Sequence, residues 1–356
     1  MSFFNTEKLT AIEAKQEAQR IAFGPFIFQA SKALRDLGIL EAIELSGQVG
    51  LTLDEIIDKV KLPRYGVRVL VESALGIGLL ILQEEKYLLT RTGYFILHDR
   101  MTQVNMDFVH EVNYKGFYHF QDAITQGKPA GLKEISEGKN TIYEALSTLP
   151  DKIRESWFNF DHFYSDNAFK KVLPMIFKDA PRKIMDVGAN TGKWAIQCAK
   201  YSEDVQVTMC DLPGQLNVAL NNIAQQNISD RVSGYPIDLL DKDTRLPEGN
   251  DVIWMSQFLD CFSEDEIIMI LKKAADVMTE SACLYILETY WDRQKYENAA
   301  FCLQQTSLYF TVMANGNSQM YHSALMHDCI DKAGLKIAEE IDNIGISHTL
   351  TKCVKK

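Results

Sequence analysis

At 356 residues the chain is too long for one ordinary hydrophobic core, and two domains are the expectation. Apolar residues make up 46% and charged residues 24%, a balance that excludes a disordered chain. The net charge of -11 disfavours a nucleic-acid surface.

The opening residues, Met1 to Lys8, lack the basic flank and apolar run of a signal peptide. The longest strongly apolar stretch, Gly76 to Leu82, is too short to cross a bilayer, so a cytoplasmic protein without membrane contact is expected. The seven cysteines form no C-x-x-C pair and read mostly as small buried residues, and nothing points to a metal.

The first third reads as helices. Ile27, Ala30, Leu34 and Leu37 recur at helical spacing between Phe26 and Leu37. Thr52-Leu53-Asp54-Glu55 is a capping box opening an amphipathic helix that stops near Pro63, and another helix runs from Arg64 to about Leu75. Two apolar runs around a charged tip, Ile81 to Thr90, predict a hairpin. Helix, helix, hairpin is the order of a winged helix, a shape that often binds DNA. Between Leu40 and Arg100, however, seven basic side chains face nine acidic ones, so packing is the favoured role. Residues 106–180 read as an aromatic-rich helical connector between a first domain, 1–105, and a last one, 181–356.

After Pro181 strands and helices alternate, the mark of an α/β fold with a parallel sheet. Strands are expected at Lys183–Val187, Val205–Cys210, Val232–Pro236, Asp251–Met255, Cys283–Glu288, Lys336–Ile341 and Ser347–Val354. The link between the last two is too short for a parallel crossover, which predicts an antiparallel terminal hairpin.

The first of these strands ends in Asp186-Val187-Gly188-Ala189-Asn190-Thr191-Gly192, where small residues let a ligand lie against the backbone. The next ends in Cys210-Asp211-Leu212-Pro213, which places a carboxylate where it can accept both hydroxyls of a ribose, with a helix cap as its alternative role. The glycines lack the three-glycine dinucleotide pattern. A nucleoside with an amino-acid tail, S-adenosylmethionine, fits better than NAD.

These motifs resemble the class I O-methyltransferases of the caffeic-acid and hydroxyindole type, which join a winged-helix dimerisation domain to a Rossmann-like methyltransferase sheet. The resemblance covers about Gly24 to Val354. It implies that Asp186 and Gly188 border the methionine part of S-adenosylmethionine, that Asp211 and Leu212 hold ribose and adenine, and that Asp238 and Leu239 meet the adenine. Asp238 as a turn cap is the other reading. Ser256, and Tyr164 with Ser165 in place of a methionine-serine pair, complete the implied cofactor set. The family's leucine-histidine-aspartate-tryptophan segment corresponds to Leu259-Asp260-Cys261-Phe262, so its catalytic histidine is replaced by Asp260. Glu288 matches one of two glutamates that orient that base, and Met320 stands for the other. Two of three catalytic positions have therefore changed.

Between these positions, Phe301, Leu308, Tyr309, Phe310, Val312 and Met313 would line an acceptor pocket if the resemblance holds; the alternative is ordinary core. His322 is the histidine expected to view that pocket, ahead of His119, His162 and His327. The resemblance implies a homodimer that methylates an oxygen of a small aromatic or polyketide-like acceptor. Two other readings remain open: altered chemistry such as hydroxylation or decarboxylation, and a winged-helix ligand-sensing regulator.

Overall fold

The computed structural model describes residues 3–356, and the chain divides into two compact units, Phe4–Val109 and His110–Lys356. In the smaller unit the expected helices occur at Gly24–Asp36, Leu53–Val60 and Arg64–Ile77. Thr52 caps the second of these as its spacing predicts: its backbone N–H donates to Glu55 Oε2 at 2.8 Å, and the Glu55 N–H donates to Thr52 Oγ1 at 3.4 Å. The hairpin follows as β1 (Leu80–Gln83) and β2 (Lys86–Leu89), antiparallel, with Glu84 and Glu85 both left-handed in its two-residue turn. Leu34, Ile39, Ile43, Ile56, Val67 and Val71 form the core under it. A helix at Ala11–Ala22, opened by its own Thr10–Glu13 capping box, went unread in the sequence; its apolar stripe is mostly alanine, and it buries no residue within the unit.

The larger unit carries a seven-stranded sheet. Its strands are β3 (Lys183–Val187), β4 (Gln206–Asp211), β5 (Val232–Pro236), β6 (Val252–Ser256), β7 (Cys283–Glu288), β8 (Leu335–Ile344) and β9 (His348–Lys355). They lie in the order β5-β4-β3-β6-β7-β9-β8. The first five are parallel, and β9 pairs antiparallel with both β7 and β8, which is the expected terminal hairpin at the sheet edge. Alternation along the strands feeds two cores. Met185, Val187, Ile253, Met255 and Ile286 face the helices Glu264–Val277 and Ser323–Lys332. Ile184, Val207, Trp254 and Leu287 face the other layer, which includes Lys193–Tyr201 and Pro213–Gln225.

Most of the stretch read as a connector belongs to this unit. The helix Asp151–Ile176 packs Ala168, Phe169, Val172 and Leu173 into the second core. The direction of strand order reverses between β3 and β6, and in open α/β sheets such a switch point leaves a crevice at the carboxyl ends of the strands. No helix among the described residues is long and apolar enough to cross a membrane.

Candidate functional site

The chain leaves β3 at Gly188 with φ +76°, and a Cβ there would lie 2.2 Å from the Phe258 ring, so only glycine fits. Asn190 is also left-handed, φ 49°. Its backbone N–H donates to Asp211 Oδ2 at 2.7 Å, and its amide donates to Asp161 Oδ2 at 3.1 Å. The Leu212 N–H donates to the second Asp211 oxygen at 2.7 Å, and Pro213 then opens the next helix. Backbone donors thus fix the Asp211 carboxylate at the crevice, although burial holds it up at about 6.

Two cavities meet at this turn. The larger, about 690 Å³, has Gly188, Asp211, Leu212, Asp238 and Leu239 on one side. Across it lie Phe258, Cys261 and Phe262 and, from 126–146, Lys128, Leu132 and Tyr143. Asp238 is exposed and does cap a turn, accepting the Leu240 N–H at 2.9 Å, while Leu239 is buried. The smaller, about 60 Å³, is lined by Asp161, Ser165, Asp186, Gly188 and Ser256 among others. Here Asp186 Oδ2 and Ser256 Oγ are buried with no hydrogen-bond partner in the protein. Burial first, and then the Asp211 charge, push Asp186 up to about 8. A buried carboxyl so placed favours a cationic partner, which would restore its ionised form. The ammonium of an amino-acid tail is such a cation, and the larger cavity beside Asp211 has room for a nucleoside, so the residues present fit S-adenosylmethionine.

Near β6 the geometry differs from expectation. Asp260 and Glu288 do come together, but both are buried and neither lines either cavity. Glu288 Oε1 accepts the N–H groups of Phe258 at 2.9 Å and Leu259 at 2.8 Å, while its Oε2 has no partner. Burial and the neighbouring Asp260 charge hold Glu288 well above the carboxylate range, and burial holds Asp260 at about 6. The visible work of Glu288 is to tie down the turn that carries Asp260. The side chain of that turn that reaches the cavity is Cys261, whose thiol donates to Asp260 Oδ1 at 3.4 Å and is pushed well up by burial.

His322 lies outside both cavities: its Nδ1 accepts the Ala324 N–H at 3.1 Å as a helix cap, and its ring packs edge-on against Trp291. The sequence offered no sign that a histidine before a helix would serve as its cap. Tyr164 also misses the cavities, packing between Phe160 and Phe163, whereas Ser165 lines the smaller one. The apolar set between Gln294 and Ala314 is core or surface: Tyr309, Phe310, Val312 and Met313 are buried and Phe301 is half exposed, and none faces the larger cavity. The wall expected from them comes instead from 126–146, a stretch whose polar composition gave no signal.

His162, a weaker candidate from the sequence, and Asn190 of the glycine turn line the smaller cavity, as do Asp161 and Gln257, which the sequence reading missed. Asp161 was findable, because it stands one helical turn before Ser165 and so shares its face. Gln257 was not: its left-handed backbone, φ 47°, and its contact with the buried His348 at 3.2 Å depend on the sheet behind it. His119 and His327 pair with Glu134 and Glu340 away from the site.

Residues 15–87 match the Dimerisation2-like domain and residues 117–335 the O-methyltransferase domain. A bacteriochlorophyllide d C-20 methyltransferase of Chlorobaculum tepidum is 24% identical over 47% of this chain and 49% of its own length, so that match spans about half of the relative. A 3-hydroxy-5-methyl-1-naphthoate 3-O-methyltransferase of Streptomyces sahachiroi is 21% identical over 77% of each chain. Among solved structures, the S-adenosylmethionine-dependent methyltransferase SibL in its apo form superposes with a TM-score of 0.71 at 22% identity, covering 94% of this chain and 98% of that one. The O-methyltransferase NcsB1, in complex with S-adenosylmethionine and 2-hydroxy-5-methyl naphthoic acid, gives 0.68 at 17% identity over 92% and 96%. The chain belongs to the S-adenosylmethionine-dependent O-methyltransferase family, with a Dimerisation2-like domain before its O-methyltransferase domain.

Proposed function

We propose that this chain transfers a methyl group from S-adenosylmethionine to an oxygen of a small aromatic or polyketide-like acceptor. The observation that carries the reading is the pair of cavities at the β3–β6 switch point that share Gly188, with Asp211 fixed by backbone donors in one and the buried Asp186 Oδ2, without a hydrogen-bond partner, in the other. Asp211 and Leu212 would hold the ribose and adenine, Asp238 and Leu239 the adenine edge and face, and Asp186, Gly188, Ser165 and Ser256 the methionine tail. The bound group supplies an electrophilic methyl on a sulfonium. Phe258, Phe262 and Tyr143 give the larger cavity an aromatic wall suited to a flat acceptor, and Leu132 adds to its apolar surface. The naphthoate named for the Streptomyces relative is of that class.

Thermal unfolding tests the cofactor reading. S-adenosylhomocysteine at 100 times its dissociation constant should add about 2.7 kcal/mol of stability, and Asp211→Ala should remove most of that gain. No stabilisation of the wild type at millimolar ligand would reject the proposal.

The protein is also read as a cytoplasmic homodimer built on the N-terminal unit. Ile12, Ile21, Phe26 and Leu45 are each more than 70% exposed there, apolar side chains that a second copy would cover. Sedimentation of the full chain should give a dimer, and a monomer at micromolar concentration would refute this. Cell fractionation checks the location.

A further inference from the structure

The turn that should carry a base directs Asp260 away from both cavities, so methyl transfer to a hydroxyl leaves the acceptor proton without an assigned destination. Three carboxylates lie around this place: Asp161, Asp260 and Glu288. Glu288 spends one oxygen on two backbone N–H groups, and Asp260 accepts the Cys261 thiol. Asp161 is different. It lines the smaller cavity, whose Gly188, Asn190 and Gln257 also line the larger one that takes the acceptor, and its Oδ2 is engaged by the Asn190 amide at 3.1 Å. The Asp260 charge acts on Asp161, and both act on the Tyr309 hydroxyl.

The geometry points to Asp161 as the proton acceptor of the transfer, an inference that rests on the methyl-transfer reading above. The acceptor oxygen passes its proton to Asp161 Oδ1 as its lone pair forms the new bond to the methyl carbon. The carbon–sulfur pair stays on sulfur as a thioether, and the proton leaves later to solvent. Atoms and charge balance without a further reactant.

The groups facing Asp161 make this workable at neutral pH. His162, next on the same helix, has its Nε2 3.9 Å from Asp161 Oδ2, and burial lowers its pKa to about 4, so it stays neutral. The Lys193 charge acts to lower the Asp161 pKa, and its Nζ is already held by Asp166 at 2.8 Å. Asn190 donates from the β3 turn, and Asp260 repels from the β6 turn. Burial, reinforced by Asp260, raises Asp161 to about 7. A base at that value is deprotonated over the upper half of the physiological range and is a far better proton acceptor than an ordinary aspartate of about 3.9.

Asp161→Asn keeps the shape and the Asn190 contact while removing the base. S-adenosylmethionine carries a sulfonium that S-adenosylhomocysteine lacks, and both carry the ammonium expected at Asp186. Calorimetry of the two ligands at pH 7, in buffers of different ionisation enthalpy, therefore isolates the group near the sulfur. The wild type should release about half a proton more with S-adenosylmethionine, and the variant should show no difference. In turnover on hydroxynaphthoates and nitrophenols, the variant should lose at least 30-fold in kcat with KM changed less than threefold. The loss should be larger for the less acidic acceptors. Wild-type kcat should rise with pH to a plateau above about 7, and the variant should lack that step.

An unchanged proton difference in the variant, or turnover within threefold of wild type, overturns the inference. If no acceptor on the panel reacts, the calorimetric comparison decides. Failure of both ligands to bind the wild type defeats the methyl-transfer reading itself and is thereby distinguishable.

Discussion

The two ends of the crevice handle charge in opposite ways. At the β3–β4 end, the Asp211 carboxylate faces open cavity and is fixed by two backbone N–H groups that the strand–turn–helix geometry supplies. At the β6–β7 end, Asp260 and Glu288 are packed away from water, line neither cavity, and both have their pKa values raised by burial. A ligand-holding carboxylate needs access and fixed donors. A buried pair needs neutralisation, and it obtains that by raising its own pKa values. The resemblance to the family is strong at the first end and altered at the second, so substitution there changes which side chain reaches the reacting atoms.

Gly188 gives the sharpest way to break the cofactor end. Adding a single methyl group at φ +76°, 2.2 Å from the Phe258 ring, imposes backbone strain and drives the ring out of place. Gly188→Ala should cost about 3 kcal/mol of stability and abolish the thermal shift with S-adenosylhomocysteine. An alanine variant that unfolds like wild type and still responds to ligand would mean that the turn is more pliable than its geometry indicates.

Much of this end was legible in the sequence because its signals are local. Five strands, the capping box at Thr52 and the glycine turn each follow from residues within one or two turns of chain. The strand ends fall within a residue or two of expectation, except that β8 continues to Ile344 past a bulge between Ile337 and Glu339. The other end was less legible, since burial depends on neighbours remote in sequence. Nothing around Asp260 announces that it turns inward while Cys261 faces the cavity, or that Asn315 will donate to the Cys261 carbonyl oxygen at 2.6 Å from fifty-four residues away. His322 drew notice as a histidine near the motifs, and its actual surroundings, Trp291 and Asp292, lie some thirty residues earlier in the chain and gave no pattern.

Glu288 tests the reaction end with a smaller effect. Its Oε1 holds the Phe258 and Leu259 N–H groups, and its pKa is raised well above the ordinary glutamate value by burial and then by Asp260. A raised acid is protonated in the folded state, so its favourable contribution is complete below the unfolded value of about 4.3 and is lost as pH climbs through the folded one. Glu288→Ala strands two backbone donors in a dry place and should cost about 2 kcal/mol. Glu288→Gln keeps an oxygen for both donors and cannot ionise. Its stability should match wild type near pH 5 and equal or exceed it at pH 8, with a flatter dependence on pH between them, measured by chemical unfolding at several pH values. Should Glu288→Gln instead lose as much as Glu288→Ala at neutral pH, Glu288 must be the ionised member and Asp260 the protonated one. In that case a neutral carboxyl, not a carboxylate, sits on the turn beside Asp161, the repulsion that helps raise Asp161 disappears, and the contrast between the two ends of the crevice narrows accordingly.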